Sequence, residues 1–186
     1  MLSDDPNNER AFQALAEIVR RRAAESVPEE DPLTAPNVEH ERQHAADLAV
    51  WSLGEELAGN PRAWYPLIEV ARLSLRDDHE GTIRRLTTAA ERDTSGQALV
   101  QGLALLTEAG QPVDALNLGV GHWRPRDHVP EVARELVLAA IAAGRPLEAK
   151  QHLASLELYP DQAAVADLKA ELAREIAQAQ QAIPGT

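Results

Sequence analysis

The sequence predicts an all-α protein in which short helical hairpins stack side by side. Apolar residues recur at helical spacing along nearly the whole chain, and no segment alternates with the period of two that is typical of a half-buried strand. Gly, Pro and Asp interrupt this pattern at short intervals, which indicates many helices of modest length. The hexapeptide at 110–115 (GQPVDA) returns in similar form at 144–149 (GRPLEA), which indicates a repeated structural unit.

Composition narrows the range of functions. The chain has 186 residues, a net charge of -12 and no cysteine. An acidic surface repels phosphate groups, so we expect neither nucleic acid nor an anionic membrane as partner. The missing cysteine excludes disulfides, thiolate metal sites and a thiol nucleophile. No apolar stretch approaches the roughly 18 residues of a membrane helix, and the acidic start does not resemble a signal peptide. We therefore expect a cytoplasmic protein.

Two helices are predicted before the repeats begin. The first runs from Asn8 to about Glu25 and carries an apolar face with Phe12 and Ile18. Residues 26–37 contain three prolines and three acidic residues and are predicted to be an extended linker. The second helix runs from Val38 to Ala58. The predicted organisation is an N-terminal helix and linker (1–37), a repeat domain (38–160), and a capping helix with its tail (161–186).

Within the repeat domain, the best repeats are predicted at 62–95, 96–129 and 130–160. Each consists of a helix of about 14 residues, a tight turn, a second helix and a breaker. Gly110 and Gly144 supply the left-handed residue that ends each first helix, and the small Ala115 and Ala149 allow close approach of the second helix. The final helix, from Asp161 to about Gln181, is predicted to cap the stack. A dimerising coiled coil is the alternative for this helix.

The repeat resembles the tetratricopeptide repeat (TPR) family over residues 61–160. The last repeat fits best, followed by the middle one. The matching residues are Leu99, Gly102, Leu103, Leu106, Gly110, Ala115, Leu136, Val137, Ala140, Gly144, Ala149, Leu153, Leu156 and Pro160. Departures are Gly119 and His122 in the middle repeat, and the segment 76–81 (RDDHEG), a poor hairpin turn in that register. The resemblance implies a right-handed α-solenoid whose first helices line a concave groove that binds peptides.

By register, that groove is the first candidate site. Its lining would comprise Arg62, Tyr65, Glu69, Arg72, Gln97, Val100, Ala104, Thr107, Arg134, Leu138 and Ile141. Arginine among apolar residues would suit a peptide with a carboxylate, because the guanidinium fork matches its two oxygens. The alternative is that these are ordinary half-buried helix positions.

The second candidate is the inter-repeat segment 121–128 (GHWRPRDH). It contains Trp123, Arg124 and Arg126, and tryptophan and arginine are enriched at binding hot spots. In the alternative interpretation, Trp123 fills the gap between repeats and Arg124 stacks on it or pairs with Asp127.

A third pattern, His40-Glu41-Arg42-Gln43-His44, matches the H-E-x-x-H signature of zinc proteases. Histidines four residues apart on a helix can hold one zinc ion while the glutamate activates its water. The extension of that motif is missing, and the carboxylates considered as third ligand (Glu55, Glu56 and Glu69) belong to no motif. A non-catalytic metal site with Glu39 or Asp47 and a plain solvated helix face are the alternatives.

These observations favour a non-enzymatic scaffold or adaptor that binds a partner protein or peptide through the groove, the Trp123 segment, or both, without a cofactor. The alternative is a zinc-dependent hydrolase built on His40, Glu41 and His44. A third hypothesis is a purely structural role, with homo-oligomers formed through the terminal helices.

Overall fold

A computed structural model of the chain describes residues 2–27 and 35–182, and the side chains of these residues apart from 35–37. Within these ranges the chain forms nine α-helices and no strand, which confirms the all-α class. The chain divides into two compact units between Arg92 and Asp93. This division falls inside the predicted repeat region 38–160, and the two units are described separately below.

The N-terminal unit contains α1 (Glu9–Glu25), α2 (Ala35–Ala58), α3 (Tyr65–Ser74) and α4 (His79–Arg92), and each helix packs on the next. Helix α1 begins one residue after the predicted Asn8, which is its N-cap: the Asn8 side chain accepts a hydrogen bond from the backbone N of Ala11 at 2.9 Å. Helix α2 begins three residues before the predicted Val38. Most of the predicted linker, residues 28–34, lies outside the described residues.

The core of this unit joins α1, α2 and the start of α3. Phe12, Ala16, Val50 and Tyr65 are buried together, and the Phe12 and Tyr65 rings meet edge to face with centroids 5.5 Å apart. Such an arrangement adds to the stabilisation from burial alone. Helix α1, which the sequence sets apart with a linker, therefore contributes directly to this core.

Two side chains satisfy backbone groups far away in sequence. The Asn7 Oδ1 accepts hydrogen bonds from the backbone N of Trp64 at 2.6 Å and of Tyr65 at 3.0 Å, so Asn7 caps α3. The Arg92 Nη1 donates to the carbonyl oxygens of Ala58, Asn60 and Ala63 at 2.8, 3.1 and 2.8 Å. Helix ends leave such groups without intrahelical partners, so both residues stabilise the α2–α3 connection.

The turn between α3 and α4 corresponds to the segment 76–81 that the sequence marks as a poor hairpin turn. The chain does turn here, because Asp78 Oδ1 accepts a hydrogen bond from the backbone N of Gly81 at 2.8 Å and so caps α4. The turn thus uses an aspartate cap, whereas the later repeats use a glycine with a proline two residues further on.

The C-terminal unit contains α5 (Gln97–Glu108), α6 (Pro112–His122), α7 (Glu131–Ala142), α8 (Pro146–Ser155), a 3-10 helix (Leu156–Leu158) and α9 (Ala166–Ala182). Helix α6 packs on α5, α7 packs on both, α8 packs on α7, and α9 packs on α7 and α8. Helix α9 begins five residues later than predicted, since residues 161–165 form turns in which Asp161 accepts a hydrogen bond from the backbone N of Ala164.

The turns that follow α5 and α7 have the same local geometry. Gly110 and Gly144 have φ values of 75° and 70°, in the left-handed region that favours glycine. The backbone N of Gln111 donates to Leu106 O, and the backbone N of Arg145 donates to Ala140 O, both at 2.8 Å. The sequence repeat is therefore also a repeat of backbone conformation.

Glycine at position 119, a departure from the family pattern, is explained by its neighbour on α7. A Cβ atom added at Gly119 would lie 2.3 Å from Cδ2 of Leu136, a fully buried side chain. The missing side chain on α6 thus makes room for the large one on α7.

Candidate functional site

The H-E-x-x-H string lies on an exposed face of α2. His40, Glu41 and His44 are all exposed, and among the described residues no group of three or more His, Asp or Glu side chains could hold a metal ion. Two of the carboxylates considered as third ligand are engaged elsewhere. Glu55 accepts from Arg85 Nε at 3.0 Å, and Glu69 pairs with Arg72 at 3.6 Å. No observation on the described residues favours the hydrolase hypothesis.

Trp123, the centre of the second candidate site, ends α6 and is half-buried. Its ring lies 6.3 Å from that of His152 on α8, and its Nε1 is buried without a hydrogen-bond partner in the described structure. This placement agrees with the interpretation that Trp123 fills a gap between repeats. Arg124 and Arg126 are exposed and remain available as surface residues.

Two buried histidines accompany this segment. His128 is 2% exposed and packs under Gly96, whose φ of 89° and missing Cβ allow the close approach. His152 is 8% exposed and occupies the position that Leu118 holds in the preceding repeat. Burial lowers the pKa of both imidazoles, and the nearby Arg124 lowers that of His128 further. Both rings are therefore neutral near pH 7.

The predicted groove residues of the C-terminal unit form two matching rows. Val100, Ala104 and Thr107 on α5 are half-buried, as are Arg134, Leu138 and Ile141 at the equivalent positions of α7. Arg134, however, donates to both carboxylate oxygens of Glu171 on α9, at 2.5 and 3.2 Å. Those hydrogen bonds raise the pKa of Arg134. The guanidinium that was expected to receive a partner's carboxylate is thus already occupied by the last helix.

In the N-terminal unit, the predicted role of Tyr65 requires correction. Tyr65 is 5% exposed because α1 covers it, and its hydroxyl oxygen accepts a hydrogen bond from Gln13 Nε2 at 2.8 Å. Burial raises its pKa to about 12. Tyr65 is a core residue and cannot line an open groove. Arg62 and Arg72 are exposed, and Arg72 lies beside Glu69.

A cleft in the N-terminal unit was not predicted from the sequence. It has a volume of about 400 Å³ and lies between α2, α3 and the start of α4. We call it the α2–α4 cleft. It is lined by His44, Asp47, Leu48, Trp51, Leu73, Ser74, Asp77, Asp78 and Arg85. The only sequence signal for it is the spacing of His44, Leu48 and Trp51, which places these three residues on one face of α2.

The charges in the α2–α4 cleft are mainly negative. Its one arginine, Arg85, lies 5.9 Å from the centre of the Trp51 ring and donates to Glu55 at 3.0 Å and to Asp78 at 3.4 Å. The backbone N–H of Gly81 and the Arg85 guanidinium lower the pKa of Asp78, so this carboxylate is ionised. Asp47 and Asp77 add two further acidic groups to the lining.

Neither protein-family models, nor curated proteins, nor solved structures yield a match to this chain. None of the helices in the described part of the chain has the length and apolar character needed to cross a membrane. The function proposed below therefore rests on the packing and chemistry of the chain itself.

Proposed function

We propose that the protein is a non-enzymatic interaction module, a cytoplasmic scaffold or adaptor that binds a partner protein or peptide. In this proposal α5 to α9 form a right-handed, TPR-like α-solenoid of antiparallel hairpins. The observation that carries it is the shared geometry of the turns at Gly110 and Gly144, because a stack of equivalent units buries its core and presents a regular outer surface.

The binding surface in this proposal is the row of half-buried residues on α5 and α7. Ala104 and Leu138 occupy equivalent positions, and Val100 and Ile141 flank them. Apolar positions that remain partly accessible on a rigid helical support are suited to helix or peptide docking. The exposed Arg124 and Arg126 would extend the surface at the end of α6. Since Arg134 is paired with Glu171, the partner's contacts here are apolar.

The test compares two double variants by co-purification of tagged protein from its native cells, followed by reconstitution with each purified partner. The Ala104→Gln/Leu138→Gln variant makes the proposed surface polar. The matched control, Val113→Gln/Leu147→Gln, changes two exposed apolar residues that are also equivalent between the two repeats but lie on the second helices α6 and α8. We expect the first variant to lose the partner and the control to retain it, with both showing wild-type circular dichroism.

If both variants retain every partner, the proposed surface is wrong. If the control alone loses the partner, binding occurs through the second helices. If wild-type protein reconstitutes with no partner at all, the interaction function itself is refuted.

A further inference from the structure

The α2–α4 cleft has an apolar side formed by one helix face. His44, Leu48 and Trp51 lie on α2 with the spacing of four and three residues that places side chains on the same face. Leu48 is 54% exposed, although it is a large apolar residue. Leu73 of α3 continues this apolar surface. An aliphatic chain placed here would bury part of Leu48 and Trp51 and so gain hydrophobic free energy.

The rim of the cleft favours a positive charge. Arg85 is held by Glu55 and Asp78, so its guanidinium is neutralised from two sides and offers little to an anion. Asp47 is partly buried, with one carboxylate oxygen accepting a hydrogen bond from Gln43 at 2.9 Å, and Asp77 is exposed. Both carboxylates lie in the lining together with the apolar side. A group with an aliphatic stem and a cationic head matches both features.

We propose that the α2–α4 cleft binds a lysine or arginine side chain, with an adjacent aliphatic residue, from a basic segment of a partner protein. This inference rests on the proposed function and specifies the chemistry of one partner contact. The volume of about 400 Å³ lies within the range of ligand pockets and accommodates one long side chain with its neighbour. The net charge of -12 would also accelerate encounter with a basic partner.

Isothermal titration of the full chain with three blocked synthetic peptides tests this proposal. The first alternates leucine with arginine, the second replaces each arginine with uncharged citrulline, and the third replaces each arginine with glutamate. We expect saturable binding of the arginine peptide that weakens with added salt. We expect at least tenfold weaker binding of the citrulline peptide and none of the glutamate peptide.

Variants of the cleft then locate the contact. Asp47→Asn/Asp77→Asn should weaken binding of the arginine peptide about tenfold, because two partly exposed ion pairs are removed. The matched control is Glu39→Gln/Glu56→Gln, which removes two exposed carboxylates from α2 outside the cleft and should change affinity less than twofold. Asp78 is left unchanged because it caps α4.

Equal binding of the arginine and citrulline peptides, equal affinity of the aspartate variant and wild type, or no saturable binding would each overturn the inference. Self-association of the wild type that disappears in Asp47→Asn/Asp77→Asn would identify a second copy as the occupant and would also overturn it. The Ala104→Gln/Leu138→Gln variant separates this inference from the proposed function. It should bind the arginine peptide normally while losing a partner held by α5 and α7.

Discussion

The close contact between Gly119 and Leu136 predicts how Gly119→Ala changes the unfolding free energy. Whether this change stabilises or destabilises the protein depends on the size of the side chain at position 136. In Gly119→Ala, the new Cβ would lie 2.3 Å from Leu136 Cδ2 and 3.3 Å from Leu103 Cδ2. Overpacking of this kind costs about 1–3 kcal/mol, whereas replacing glycine by alanine inside a helix gains up to about 1 kcal/mol. Because Leu136 is fully buried, its side chain must shift against packed neighbours to admit the new Cβ, and we expect a net loss of about 1 kcal/mol in unfolding free energy.

Shortening the side chain at position 136 should make Gly119→Ala stabilising instead of destabilising. Leu136→Ala alone should cost about 2–5 kcal/mol, because it leaves a cavity in the core. In that background, the new Cβ of Gly119→Ala occupies space that the Leu136 side chain has vacated, and the change should stabilise the protein by up to about 1 kcal/mol. Urea unfolding of the four proteins in this cycle, followed by circular dichroism, measures a coupling energy of about 2 kcal/mol between the two positions.

Gly121→Ala is the matched control on the same helix, since a Cβ added there meets no neighbouring atom within 4 Å. This change should be neutral or slightly stabilising in both backgrounds. Additive effects of Gly119→Ala and Leu136→Ala, or a stabilising Gly119→Ala in the wild-type background, would refute the packing of α6 on α7 described above.

Four further predictions concern polar groups. His152→Leu should stabilise the C-terminal unit by about 1 kcal/mol at pH 7, because it replaces a buried imidazole whose Nε2 has no hydrogen-bond partner in the described structure. The contribution of His128 and His152 to the unfolding free energy should be constant from neutral to mildly alkaline pH. It should decrease as pH falls through about 6.5, since the unfolded chain takes up protons that these two histidines, with lowered pKa values, resist. Asn7→Ala should cost about 1 kcal/mol, and Arg92→Met about 2 kcal/mol, because backbone groups lose their partners.

Urea titrations across the pH range measure the first two of these effects, and His152→Leu should also flatten the acid-induced loss. An unchanged pH dependence in His152→Leu/His128→Gln would contradict the proposed protonation states. For the other two changes, the control is Asn117→Ala, an exposed position on α6 that should change unfolding free energy by less than about 0.5 kcal/mol.

The sequence predicted most helices because their ends carry local signals. Asn8 predicts the start of α1, and the glycines at 110 and 144 predict the ends of α5 and α7, since each acts on its own few residues. The start of α9 was placed too early because residues 161–165 are compatible with a helix but form turns instead. The segment 76–81, a poor hairpin turn in the repeat register, nevertheless turns because Asp78 caps α4.

The candidate sites were harder to predict because they depend on which helices come together. Tyr65 satisfies the groove pattern by register, yet α1 covers it, and no spacing around position 65 indicates that contact. The ion pair of Arg134 with Glu171 joins residues 37 positions apart. The α2–α4 cleft combines residues from α2, α3 and α4, so it exists only after these helices have packed.

The hydrogen bond from the backbone N of Tyr65 to Asn7 Oδ1 spans 58 residues of chain, whereas the hydrogen bonds from Arg134 to Glu171 in the C-terminal unit span 37 and its turn bonds at Gln111 and Arg145 span five. Closing a long loop costs chain entropy before any contact compensates for it, and proteins rich in local contacts fold faster. We therefore expect the region after Arg92 to reach its native structure first in a refolding experiment. The region before it should follow in a slower kinetic phase that Asn7→Ala alters.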